Sequence, residues 1–430
     1  MKSANKIPII YNLFPRLTGS MDQWTKHFDR AKKMGFNWIY INPISYTGFS
    51  GSLYSIKDYL SVNPIFLDKS TIPEWDQVRQ MIKKAHQFDL KIMYDLVINH
   101  TAIDANLIKE EPDWYKRKED GSIKNAEVWE GDKLVTIWGD LAEIDNYKNP
   151  KKKELRKYWL KVINFYSELG FDGFRCDAAY QVPAELWEYI ITEIKQKKPN
   201  SLFFAETLGC EIKDVIDLSQ SGFDFVFNSS KYWDFEEKWC LTQYYETAEV
   251  SPSISFSESH DTQRLAKELQ MNESAIKMRY LFSVLFSTGV MMPIGFEYGF
   301  QKQVNVVQTT PDDWETAPLH LEEFISDCNW LKQEYSVFTE DNELILIETN
   351  QPKIFAFLKI NNNKSEKALV VINKDLHHHQ HINLNIPEII QEPLTKIKDI
   401  SIEYPLADIP EIIDYHLRPA QVMIFHANSF

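Results

Sequence analysis

Charged and imidazole side chains stand at the ends of short apolar runs in five places. They are Asp95, Asn99 and His100 in "KIMYDLVINH", Arg175 and Asp177 in "FDGFRCDA", Glu206 in "SLFFAETL", His260 and Asp261 in "SISFSESHD", and Glu297 in "VMMPIGFEYG". Breaking an acetal between two sugars needs a proton for the leaving oxygen and a second carboxylate at the carbon that becomes oxocarbenium-like, so two carboxyl groups must flank one bond. Asp177 and Glu206 on adjacent strands would lie roughly 4.8 Å apart, close to the separation of about 5 Å that goes with retention of configuration. Arg175, two residues before Asp177, shares its face of the strand and would keep that nucleophile ionised. Glu206 must instead hold a proton at rest, and burial among Phe203, Phe204 and neighbouring anions would raise its pKa. Asp261 would grip ring hydroxyls as positive charge develops, with His100 and His260 donating further hydrogen bonds. Taken singly these residues have plainer explanations, since a strand-end carboxylate often caps the next helix and a lone histidine is more often structural. Five compatible strand ends together favour chemistry.

The elements that must bring them together alternate in period. Runs such as "IPIIYNLF", "FNWIYINPI", "KIMYDLVINH" and "FDFVFNSS" are separated by amphipathic stretches near 21–34, 74–88, 184–197, 211–219, 231–248 and 272–287, and by one that ends near Glu168. Apolar runs of this length bounded by polar residues read as buried strands, and the longer stretches as helices. Counting the runs predicts eight strands, the number that closes a parallel (β/α) barrel with its active site at the strands' C-terminal ends. The expected fold class is α/β: a TIM barrel with a small insert after the third strand and a C-terminal antiparallel β-domain. The expected division is 1–337 for the barrel, including a polar, irregular, lid-like insert at 101–149, and 338–430 for a β-sandwich-like domain with strands in "ELILIETN", "KIFAFLKI", "KALVVIN", "HINLNI" and "AQVMIFHA". "HHHQH" at 377–381 reads as a solvated turn rather than a metal site.

A formal charge of −15 repels nucleic acid and anionic lipid, leaving a neutral partner such as a sugar. Four widely spaced cysteines show neither a disulfide scaffold nor zinc spacing, and they read as reduced thiols. The apolar stretch near the start is broken by Pro8, Asn12, Pro15 and Arg16, so no signal peptide or membrane span is expected, and a cytoplasmic location is the default.

In order and spacing, "DLVINH", "GFRCDA", "AETL" and "ESHD" resemble the signature segments of the α-amylase family of glycoside hydrolases and transglycosylases, supported by "GFNWIYINPI", "GSLYSIKDYLSVNPIF" and "GVMMPIGFEYG". The resemblance covers nearly all of residues 5–300. It implies Asp177 as nucleophile, Glu206 as general acid/base and Asp261 as transition-state stabiliser. It further implies that Tyr54 stacks on the sugar at the cleaved bond, that His100, Arg175 and His260 contact it, and that Asp95 is a buried support. Asn99 matches a family calcium ligand, but a hard cation needs about six oxygens and the diverged insert offers no clear set; no cofactor is required, and calcium stays open. The chain departs from the family pattern at Ala179-Tyr180-Gln181, where many hydrolases carry a Lys-His pair, and at Ser259, where Asn is usual. The altered acceptor side, with Tyr180 lining it, leans the expectation toward maltosyl or glucosyl transfer on an oligosaccharide or disaccharide. The alternatives are an intracellular maltodextrin hydrolase and, from another class, a non-catalytic glycan-binding barrel. Some relatives use a sugar phosphate donor, and "KQVNVVQTTPDDWE" is a candidate pocket for one, although it lacks a Gly-rich phosphate loop.

Overall fold

The computed structural model describes residues 7–130, 133–248 and 250–429. Eight parallel strands close into a barrel: β1 (Ile9–Leu13), β2 (Trp38–Ile41), β3 (Lys91–Leu96), β4 (Gly173–Cys176), β5 (Leu202–Glu206), β6 (Phe225–Phe227), β7 (Ser253–Phe256) and β8 (Gly289–Pro293). Each pairs with its sequence neighbours, and β8 returns to β1 through Ile9↔Val290 and Ile10↔Met291. Alternation explains the closure, because one set of side chains, among them Trp38, Met93, Phe204, Phe256 and Met291, fills the barrel interior. The other set faces the surrounding helices, which include Thr25–Lys33, Glu74–Gln87, Lys152–Leu169, Ala184–Lys197 and Glu273–Phe286. Gly173 opens β4 because a Cβ there would lie 2.7 Å from the Leu202 carbonyl oxygen and 3.2 Å from the Trp38 ring.

Three expectations change. The insert is not irregular: His100–Ala102, Lys133–Glu143 and Asn125–Glu130 form a three-stranded antiparallel sheet. The helical stretch expected at 231–248 is shorter, a 3-10 turn at Ser230–Tyr232 followed by the helix Trp239–Thr247. In the C-terminal region the five expected strands are joined by Ile397–Asp399 and Ile412–Leu417. A five-stranded sheet runs Glu343–Leu346, Ile354–Ile360, Glu366–Asn373, Val422–Asn428, Ile397–Asp399, and Gln380–Asn385 pairs with Ile412–Leu417 as a separate ribbon.

One face of the five-stranded sheet packs under that ribbon through Leu358, Val371, Phe425, Ile382 and Ile413. Its other face, with Phe355, Phe357, Val370 and Ile424, belongs to the same apolar cluster as the barrel's helices. Two buried lysines reinforce the junction. Lys332 Nζ donates to the carbonyls of Val284 (2.7 Å), Ser287 (2.6 Å) and Phe338 (2.7 Å), and Lys359 Nζ to those of Leu285 (3.3 Å), Phe286 (2.9 Å) and Glu340 (3.1 Å). They thereby satisfy orphan carbonyls at the end of the helix Glu273–Phe286. Within "HHHQH", His378 pairs with Asp375 and His381 with Asp414, at the start of the ribbon. Among the described residues no helix is long and apolar enough to cross a membrane.

Candidate active site

At the C-terminal ends of β3 to β5, one guanidinium organises the carboxylates. Arg175 Nη1 donates to Asp177 Oδ1 at 2.7 Å and to both oxygens of Asp95 at 2.9 and 3.0 Å, while its Nη2 lies 3.9 Å from Glu206 Oε2. The period of two places Arg175 and Asp177 on one side of the chain, as expected. Asp95 is fully buried and also accepts from the hydroxyls of Tyr40 (2.5 Å) and Tyr54 (2.6 Å). Three donors to one carboxylate make it a rigid anchor for Arg175 rather than a group free to react.

Glu206 continues β5, and its Oε2 accepts from the backbone N–H of Ala178 at 2.9 Å. Ala178 reaches this position in a left-handed conformation, φ 40°, which is strained for a residue with a Cβ. Burial pushes the Glu206 carboxyl up to about 7, with Asp177 and Asp261 adding to the rise and Arg175 opposing it. The apolar side of that environment is corrected: Phe204 shares the interior with Glu206, whereas Phe203 faces the helices.

Asp261 stands at the rim, its side chain 55 % exposed, with Oδ2 3.0 Å from His260 Nε2. The same nitrogen lies 2.7 Å from the Tyr54 hydroxyl, and the two rings are parallel at 5.7 Å between centroids. Burial holds His260 neutral, its pKa pushed down to about 3, and Nδ1 has no partner among the described residues. Neutral imidazole carries a single N–H, so His260 orients Tyr54 and Asp261 with little donor capacity left for a ligand. His100, also buried and with its pKa lowered chiefly by burial, places Nε2 3.1 Å from the Tyr54 carbonyl, so this N–H fixes the Tyr54 loop. Both histidines, expected as contacts to the sugar, line the cleft and have Nε2 within hydrogen-bond distance of Tyr54.

Glu297 does not face the mouth. It binds Tyr11 Oη (2.7 Å), Arg30 (3.0 Å) and the Gly295 N–H (2.8 Å) in the layer between barrel and helices. Tyr180 does line the cleft, 36 % exposed, beside Ala178, Gln181 and Asp177. Tyr40 and Asn42 escaped the sequence reading; Asn42 Nδ2 donates to the Tyr54 hydroxyl at 2.8 Å. Their signal was available, because both fall on the period-two face of "WIYIN" that begins at the interior residue Trp38.

Asn99 Nδ2 donates to Gln181 Oε1 at 3.1 Å, and its Oδ1 is buried with no partner. Among the described residues no group of three or more His, Cys, Asp or Glu is arranged to hold a metal ion. Asn99 Oδ1 is thus one unpartnered oxygen where a hard divalent cation takes six or more. Above the carboxylates opens a cleft of about 750 Å³, whose walls are the insert sheet and the segment 303–307.

A sequence model described as "Glycogen debranching enzyme, glucanotransferase domain" matches residues 3–126. The α-1,4-glucan:maltose-1-phosphate maltosyltransferase of Burkholderia pseudomallei is 21 % identical over 86 % of this chain and 33 % of its own length. Neopullulanase 2 of Thermoactinomyces vulgaris is 24 % identical over 79 % of this chain and 62 % of its own. Of solved structures, a noncanonic maltogenic α-amylase, AmyB from Thermotoga neapolitana, superposes with a TM-score of 0.76 at 22 % identity, covering 99 % of this chain and 100 % of that one. The relatives and the solved structures with this fold are similar to the chain in the way that members of the α-amylase family of glycoside hydrolases and transglycosylases would be. The chain spans a third to about three-fifths of the length of the first curated relatives, 33 %, 60 % and 57 %. An α-amylase from Lactobacillus plantarum shares the fold at a TM-score of 0.79 and 20 % identity, covering 97 % of this chain and 98 % of that one. The similarity and the fold thus agree with the sequence expectation.

Proposed function

We propose that this chain is a retaining enzyme of α-glucans that works through a covalent glycosyl-enzyme intermediate and passes a maltosyl or glucosyl unit to a sugar acceptor. The observation that carries the reading is the inequality of two carboxyl groups on adjacent strands. Glu206 is pushed up to about 7, so a large fraction of it keeps its proton near neutral pH, whereas Asp177 is hydrogen-bonded to the Arg175 cation. Asp177 attacks the anomeric carbon as the bond to the leaving oxygen breaks and Glu206 gives that oxygen its proton. In the second half an acceptor hydroxyl attacks the same carbon, its proton passes to Glu206, and Asp177 leaves. Arg175 occupies Oδ1 of Asp177, and Oδ2 has no protein donor among the described residues, so one oxygen remains for bond formation. Asp261 and the Tyr54 ring bind the reacting sugar, and Asp95 acts through Arg175 and Tyr54. No step needs a metal.

Tyr180 in the cleft beside Asp177 supports transfer, because an apolar ring next to the intermediate favours a sugar over water. Hydrolysis is the second reading, favoured by the neopullulanase and maltogenic amylase among the relatives. Incubation with maltooligosaccharides, with and without maltose 1-phosphate or inorganic phosphate, separates the two. Products longer than the substrate support transfer, and phosphate dependence identifies a phosphorylated donor. Only shorter sugars make the enzyme a hydrolase. No turnover beyond that of a Glu206→Gln control refutes catalysis on α-glucans and favours the glycan-binding alternative.

A further inference from the structure

The insert sheet carries an aromatic side chain that the catalytic chemistry does not use. Trp138 lies on Lys133–Glu143, is 48 % exposed, and lines the same cleft as Asp177 and Tyr54. A strand normally turns successive side chains to opposite faces, yet the pairing here is interrupted: Asn125 faces Ala142 while the next residue, Ala126, faces Trp138. Gly139, Asp140 and Leu141 are therefore unmatched on that edge, forming a bulge, and bulges beside active sites re-aim the side chains next to them. The bulge is stapled. Asn125 Nδ2 donates to the carbonyls of Gly139 (3.2 Å) and Leu141 (3.1 Å), supplying the hydrogen bonds the ladder has lost. Opposite the indole stands only the methyl of Ala126, too small to cover it.

The facing wall is held as firmly. Leu53 N–H donates to the Val306 carbonyl at 3.1 Å, Asn305 N–H to Thr309 Oγ1 at 2.7 Å, and Gln303 Nε2 to the Asp261 carbonyl at 3.1 Å. A half-exposed indole between fixed walls, with Glu127, Asp140 and Asn305 also lining the cleft, matches a pyranose ring: an apolar C–H face and a hydroxyl-bearing edge.

We infer that Trp138 is a stacking platform for a glucosyl ring other than the one whose bond is cleaved, and that Asn125 is the positioning residue that aims it. The inference rests on the α-glucan reading above. It makes the enzyme one that acts on oligosaccharides and gains from each ring that reaches the platform, rather than one built for a disaccharide.

The test compares maltose, maltotriose, maltotetraose and maltohexaose as substrates for the unsubstituted protein and for Trp138→Ala, Trp138→Tyr and Asn125→Ala. For Trp138→Ala, the ratio of kcat/KM for maltohexaose to that for maltose should fall about five- to ten-fold, the equivalent of one aromatic contact. Trp138→Tyr should restore most of the ratio, and Asn125→Ala should reproduce much of the loss. Calorimetric titration of the same sugars into these variants carrying Glu206→Gln should show the matching length-dependent weakening of Kd. A loss equal at all lengths, or none, in a protein that does turn over maltooligosaccharides overturns this inference alone. Failure of the unsubstituted protein to bind or turn over any of the four overturns it together with the reading beneath it.

Discussion

Replacing Glu206 by Gln should stabilise the protein as it abolishes catalysis, and the stabilisation should depend on pH. The carboxyl is pushed from 4.5 to about 7 in the fold, chiefly by burial. Because the folded-state value lies above the unfolded one, the folded protein binds the extra proton between these limits. With respect to this group, stability is therefore full below pH 4.5 and is lost as pH rises through 7. At 1.36 kcal/mol per pH unit, the ionised group costs about 3 kcal/mol at pH 8 and about 1 kcal/mol at pH 5. Glutamine keeps the shape, accepts the Ala178 N–H and never ionises, so it removes that cost. The expected gain in Tm is about 3 °C at pH 8 and about 1 °C at pH 5 for a chain of this length. Differential scanning calorimetry of both proteins at the two pH values measures it, with the activity of the parent followed over the same range. Activity should fall roughly ten-fold per pH unit above 7 as the acid loses its proton. An equal gain at both pH values, or a less stable variant at pH 8, would refute the assignment of a protonated Glu206.

Arg175→Lys should lower kcat by at least about 100-fold with a smaller change in KM, since a single ammonium does not serve Asp95 and Asp177 together; steady-state kinetics on a maltooligosaccharide decides it. Lys332→Ala should destabilise the chain by about 3 kcal/mol or more, because three buried carbonyls lose their donor, and a urea melt monitored by tryptophan fluorescence reads the loss. Incubation with EDTA should leave both Tm and activity unchanged, whereas a drop restored by calcium would point to a bound cation, with the unpartnered Asn99 Oδ1 as its first candidate ligand.

The barrel was legible because its strands are buried on both faces, so they stand out as apolar runs whose order alone gives the closure. Asp177, Glu206 and Asp261 were legible for the converse reason, as charged groups where such runs end. Geometry beyond the last strand residue was not. Glu297 lies past Pro293, after the chain has turned, so its direction no longer follows from the strand's period and it points to the helix layer. Phe203 lies an odd number of positions from Glu206, so the period of two puts it on the opposite face, toward the helices, and not beside the carboxyl. The strands of the insert escaped because they border solvent and cleft, which removes the apolar alternation that marks a core strand. The pairing of His100 and His260 depends on Tyr54, distant in sequence from both: its carbonyl lies by His100 Nε2 and its hydroxyl by His260 Nε2.

The two buried lysines at the junction have a bearing on how this molecule can be taken apart. Lys332 comes from the helix before the C-terminal sheet and Lys359 from within the sheet, and both end on carbonyls at one end of the helix that leads into β8. A chain cut between them would lose the Lys359 contacts and strip the cover from an apolar face of the barrel's own cluster. The barrel is thus no portable module. Grafting, shuffling or shortening designs must carry the distant sheet along, and damage to that sheet should be felt as lost catalytic protein rather than as lost affinity for sugar.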